Sequence, residues 1–263
     1  MLRSIFIPIF LVIVAASPAA FSIDPPATQP ISRDQFIIIP LRIHILQSPD
    51  IIDIDCKLSD ADIQRILGKI NGIWHQAGIH FGLHSILREP AAMQPEFAAA
   101  RAHDPASLAP FRMIRPDESR KFDGLHVYYI HQFPVNGVYM GQDFAFVKET
   151  ASLRRVEGGI DEPIPRVTAH ELGHALGLPH RQNLTNLLAS GTTGTSINAA
   201  EIAIARGKAA KINGGAPVAE WQTRAADALS KSDSQTATRI KTWLAGLPDD
   251  PSKPAEQANR PKN

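Results

Sequence analysis

Apolar and polar positions alternate over FIIIPLRIHIL, where Arg42 and His44 separate Leu41, Ile43 and Ile45, and this period of two predicts a strand. Pro40 lacks a backbone donor and places the start of that strand at a sheet edge or at a first position. After Ser59 the period becomes 3.6. Ile63, Ile66, Leu67, Ile70, Ile73 and Trp74 fall on one face, Ser59 and Asp62 match a capping box, and Gly78 is placed to end the helix in a left-handed conformation. A strand follows at once, with Ile79, Phe81 and Leu83 on one face and His80, Gly82 and His84 on the other; the two histidines read as surface residues. Residues 90–120 carry prolines, small residues and scattered charge, and read as an irregular or partly helical insertion. LHVYYI at 125–130 is a strand by its aromatic and β-branched content, and GVYMGQDFAFV at 137–147 reads as one further strand. Pro165 suits the first position of the next helix. Ala199–Ala210 reads as a helix, NGGAP at 213–217 as a break, and Val218, Trp221, Ala225, Ile240 and Trp243 return to helical spacing.

Composition narrows the class. Of 263 residues, 44% are hydrophobic and 20% charged, an ordinary globular mixture. Lys plus Arg is 27 and Asp plus Glu is 26, so a net charge of +1 gives no electrostatic footprint for nucleic acid. Cys56 is the single cysteine, which excludes an internal disulfide and a zinc site built from several thiolates. It reads as a lone thiol. The N-terminus has the layout of a secretory signal peptide: Arg3, then an apolar run from Ile5 to Ala16, then small residues around Ala20 and Ser22. The run is shorter than the ~20 residues of a membrane span. The chain therefore divides into a signal peptide (1–22), a linker (23–35), a main domain (36–212), a helical segment (213–246) and a disordered tail (247–263), with export to the periplasm or medium and no membrane association after signal removal.

The chemistry concentrates in His170-Glu171-Leu172-Gly173-His174-Ala175-Leu176-Gly177-Leu178-Pro179-His180. His170 and His174, four apart on a helix, project from one face and can close two edges of a tetrahedral metal site. Gly177 tolerates the positive φ of a sharp turn that returns His180 as a third ligand. Three neutral imidazoles with a fourth position open to water make a catalytic zinc site, not a structural one. Glu171, beside the metal, is placed as general base. One zinc per chain is expected. Asp143, Glu157, Asp161 and Glu162 are candidate ligands of a structural calcium but lack a recognisable ligand spacing. His126 and His131 flank a strand and stand as minor candidates for the cleft.

At these residues the sequence resembles the metzincin clan of zinc metallopeptidases, through HExxHxxGxxH and, more weakly, the element order over about residues 36–210. The resemblance implies an α+β fold: a twisted mixed sheet, an active-site helix and a small C-terminal helical subdomain. It also implies that the last strand before the motif helix, 138–147, is the edge that pairs with substrate. Metzincins carry a methionine turn after the third histidine; here Asn186-Leu187-Leu188-Ala189-Ser190-Gly191 stands in that place, with leucine at 188. Leucine and methionine have similar volume, and such swaps cost less than about 1.5 kcal/mol. The expected activity is that of a secreted zinc endopeptidase acting as a monomer on peptide or protein substrates. The alternatives are a zinc hydrolase dedicated to one substrate, or a zinc-keeping module without turnover; the retained Glu171 argues against the last.

Overall fold

A computed structural model describes residues 31–248. The expected signal peptide, most of the expected linker and the residues beyond 248 lie outside the described residues. The chain folds into a six-stranded mixed sheet of order β2-β1-β3-β5-β4, with a short β6 added to β1. β1 (Ile37–Gln47), β2 (Ile79–Pro90), β3 (Leu125–Ile130) and β5 (Phe144–Lys148) run parallel; β4 (Gly137–Tyr139) and β6 (Ala216–Pro217) are antiparallel to their neighbours. The fold is therefore α+β, as the sequence predicts.

β1 is central, so the expectation of an edge at Pro40 is corrected. Around Pro40 the even-numbered residues turn their backbone groups toward β6 and β3: Phe36 O accepts from Val218 N and Ile38 O from Trp221 Nε1, each at 3.1 Å. On that side β6 pairing stops at Ile38 and β3 pairing begins at Leu41. The missing donor of Pro40 thus falls in the gap between two ladders and costs no hydrogen bond.

One face of the sheet carries the main core, against α1 (Asp60–Trp74) and α3 (Pro163–Ala175). The capping box of Ser59 and Asp62 starts α1, and Gly78 (φ 60°) closes it after one 3₁₀ turn. Trp74 Nε1 donates to Ala169 O at 3.3 Å and ties α1 to α3. Asp161 and Glu162, once candidates for calcium, instead form ion pairs with Lys69, and Glu162 also with Arg65. α3 begins two residues before the predicted start, with Pro163 at N1. The predicted strand 137–147 is a hairpin: Gly141 (φ 83°) and Gln142 (φ 60°) reverse the chain between β4 and β5.

The other face is covered in two parts. The insertion, with α2 (Gln94–His103), packs Phe97 and Phe111 over β3 and β5. After α4 (Ala199–Ala209), the helices α5 (Val218–Ser230) and α6 (Ser234–Ala245) lie over β1 and β2. Trp221 and Trp243 meet edge to face at 5.0 Å, and Trp243 Nε1 donates to Leu83 O at 2.9 Å. Gly82 makes this possible, because any Cβ there would strike the Trp243 ring. His80 is consequently buried beside Gly246, not exposed as its strand position suggested. It touches His75 at 3.3 Å, and burial depresses both, to about 3 for His80 and about 4 for His75.

Acid sensitivity follows. A histidine held neutral by burial takes a proton more readily when unfolded, so unfolding binds protons and stability rises with pH. That stability is present above the ordinary value of 6.5 and is lost as pH falls toward about 4 and 3. The urea midpoint is expected to drop steadily over this window, and His80→Leu to flatten the slope. An unchanged slope in that variant would contradict the assignment.

Candidate active site

α3 ends in a turn that aims its histidines. Gly177 (φ 83°) stands just past the helix; its N–H donates to His174 O and Leu178 N–H donates to Gly173 O, both at 3.0 Å. This pair of bonds is a Schellman closure, and the left-handed residue it needs is glycine. The chain then doubles back. Leu178 O accepts from His174 Nδ1 at 2.8 Å, and Leu187 O accepts from His170 Nδ1 at 2.8 Å. With Nδ1 donating, each ring presents Nε2 as a bare lone pair. His174 Nε2 lies 3.1 Å from His170 Nε2 and 3.1 Å from His180 Nε2, and all three fall in one cluster of potential metal ligands. Lone pairs this close repel unless a cation lies among them. The spacing is near the ~3.3 Å edge of a tetrahedron whose metal–nitrogen bonds are ~2.0–2.1 Å. The three predicted ligands therefore come together and fit zinc.

Glu171 faces the same cleft and is 5% exposed. Its Oε2 accepts from Tyr139 N–H at 2.7 Å, and burial pushes the carboxyl up to about 7. The cleft, of about 800 Å³, runs between β4 on one side and Leu153, Ser190 and Gly191 on the other, with Val167 and Pro179 in its walls.

The turn at 186–191 lies under the motif helix. Leu188 is fully buried, and its Cδ1 would be 3.2 Å from a Cβ at Gly173, between the first two histidines. Asn186 shapes the turn: Oδ1 accepts from Leu188 N at 2.7 Å and Nδ2 donates to Glu201 Oε2 at 2.8 Å. Glu201, wholly buried, also pairs with Arg181.

Sequence reading missed Arg166. It sits one helical turn before His170 and is 1% exposed. Nε donates to Gly194 O at 3.1 Å, Nη2 to Ala189 O at 2.5 Å and Asn186 O at 3.4 Å, and Nη1 touches the His170 ring. An arginine one helical turn before the first motif histidine was the available signal.

The minor candidates go elsewhere. His126 lies on the opposite face of β3 from Tyr129, which reaches Thr168 of α3. It joins a chain in which Glu89 accepts from His44 and His44 Nε2 meets His126 Nδ1 at 2.8 Å. His131 pairs with Glu149, whose other oxygen is 3.3 Å from the buried Cys56 sulfur. Burial pushes that thiol up, so it stays protonated.

A family model described as Matrixin matches residues 91–205, a span that holds β3 to β5, α3 and the whole histidine cluster. Over that span the chain resembles a matrixin. The match supports a zinc-dependent metallopeptidase of metzincin type, and the three histidines that could hold a metal ion lie within the matched span. Among curated proteins nothing matches. Archaemetzincin from Methanopyrus kandleri is similar over 67% of this chain and 89% of its own, at 13% identity and a TM-score of 0.35. A chain described as part of a chaperone–substrate complex is similar over 68% of this chain, at 10% identity and a TM-score of 0.40; this chain spans only 35% of its length. Scores this low carry no argument about function.

Proposed function

We propose that the protein is an exported zinc endopeptidase. The observation that carries the reading is the convergence of the Nε2 atoms of three histidines with the Glu171 carboxylate in a cleft lined by the edge strand β4. His170, His174 and His180 would hold the zinc. When bound, the metal supplies Lewis acidity toward the scissile carbonyl. Glu171, which lines the same cleft as the three histidines, takes a proton from the attacking water and passes it to the leaving amine.

The edge is β4, not the whole of 138–147, because β5 is an inner strand. Asn136 O accepts from Lys148 N and Met140 N donates to Phe144 O, so even-numbered residues face β5. Gly137 and Tyr139 face the open side. Tyr139 N–H is already taken by Glu171, which leaves the N–H and C=O of Gly137 and the C=O of Tyr139 for an extended peptide. Leu188 fills the place expected of the methionine turn and supplies an apolar floor.

Elemental analysis is expected to find one zinc per chain, and a quenched peptide library to be cut in a chelator-sensitive way. His180→Ala should lose zinc under conditions where His103→Ala, at the exposed end of α2, retains it. Equal retention would defeat the three-histidine assignment. Sequencing the N-terminus of the exported form tests removal of the first 22 or so residues.

A further inference from the structure

Gly137 opens β4, and its φ is not in the left-handed region. Any residue can adopt that backbone, so space explains this glycine and conformation does not. A Cβ at 137 would stand 2.6 Å from Val167 Cγ1 and 3.0 Å from both Cγ and Oε1 of Glu171. Val167 is packed in the main core, so either it or the strand must shift to admit that atom. Two residues along the same strand, the N–H of Tyr139 holds Oε2 at 2.7 Å. One oxygen is tethered to β4, while the other lies against a Cα that carries no side chain.

We propose that Gly137 is a positioning residue for Glu171, and that β4 aims the base with the same backbone that aligns the substrate. This rests on the peptidase reading above. Its consequence is geometric. Peptide main chain paired to Gly137 and the carboxylate packed on Gly137 share one rigid reference, so their separation does not depend on any flexible loop. A misplacement near 1 Å can cost about 100-fold in rate.

The test uses the zinc-loaded full chain. Gly137→Ala is expected to retain one zinc and lower kcat by about 10- to 100-fold, with KM changed much less. In a Glu171→Gln background the same change should add almost nothing, because the residue acts through that carboxylate. A full second loss in that background would overturn the proposal, as would kcat near wild type in Gly137→Ala. If that variant fails to fold, Gly137→Ala with Val167→Ala removes the core clash and leaves the Glu171 contact; kcat equal to that of Val167→Ala alone then overturns the proposal. A crystal structure gives a readout independent of turnover. Loss of the 2.7 Å bond from Tyr139 to Glu171 in the alanine variant supports the clamp, and its retention counts against it. If wild-type protein binds zinc but cuts no peptide, the peptidase reading fails, while this structure still judges the clamp.

Discussion

Glu171→Gln is expected to keep its zinc and lose turnover by about 10²–10⁴-fold, the size of a general acid–base contribution. The substitution isolates proton transfer. The glutamine carbonyl oxygen can still accept from Tyr139 N–H, and its volume matches, so the cleft keeps its shape. What disappears is an oxygen able to take a proton and return it. The loss should fall on kcat, with KM little changed, because the group acts on the reacting atoms and not on the bound peptide. Turnover within about threefold of wild type, measured on protein of known zinc content, would remove Glu171 from the role.

Arg166→Met should destabilise the metal-free protein by about 2–4 kcal/mol and weaken zinc binding by about 10–100-fold. Methionine fills much of the volume but donates nothing. The carbonyls of Ala189 and Gly194 lose their donor in a place water does not reach, and Asn186 O loses a longer contact. Against this, no carboxylate forms an ion pair with the guanidinium among the described residues, and burial lowers it to about 10, so removing the charge recovers some desolvation cost. The orphaned carbonyls outweigh that recovery because two of the bonds are well formed. Zinc affinity is expected to follow because the same turn carries Leu187 O, the acceptor 2.8 Å from His170 Nδ1 that orients the ring. Chemical denaturation of the metal-free variant and a competition titration with a zinc chelator read the two effects separately. Unchanged stability would mean the turn does not depend on Arg166.

Local rules made part of this molecule legible in the sequence. The capping box of Ser59, the left-handed Gly78 and the turn at Gly177 each depend on residues a few positions apart, and the structure has each as read. The meeting of His170, His174 and His180 was legible for the same reason. Where distant segments decide, the reading failed. His80 looked like a surface residue because nothing near it announces that α6 will cover β2. Pro40 looked like an edge because the gap between the β6 and β3 ladders is made by residues far along the chain. Arg166 was passed over because a charged residue on a helix is ordinarily solvated, and only the fold brings the carbonyls of 186–194 around it. The hairpin at 140–143 was a local miss: two consecutive left-handed residues were hidden inside a strand-like composition.

The pairing of β6 with β1 bears on how the chain acquires its shape. β1 is the first strand among the described residues, yet it is central, and the face over Ile38 is covered by Trp221, 183 residues further along, and its neighbours. Contacts so far apart in sequence make folding slow, because a long loop must close before they form. During that interval the strand that will organise the sheet stays uncovered and open to pairing with other chains. A nick in the Gly-rich segment 213–215 would leave the histidine cluster intact on paper, but would cut loose the part that shields the sheet centre. Cleavage there is then expected to favour pairing between chains over release of a smaller folded unit.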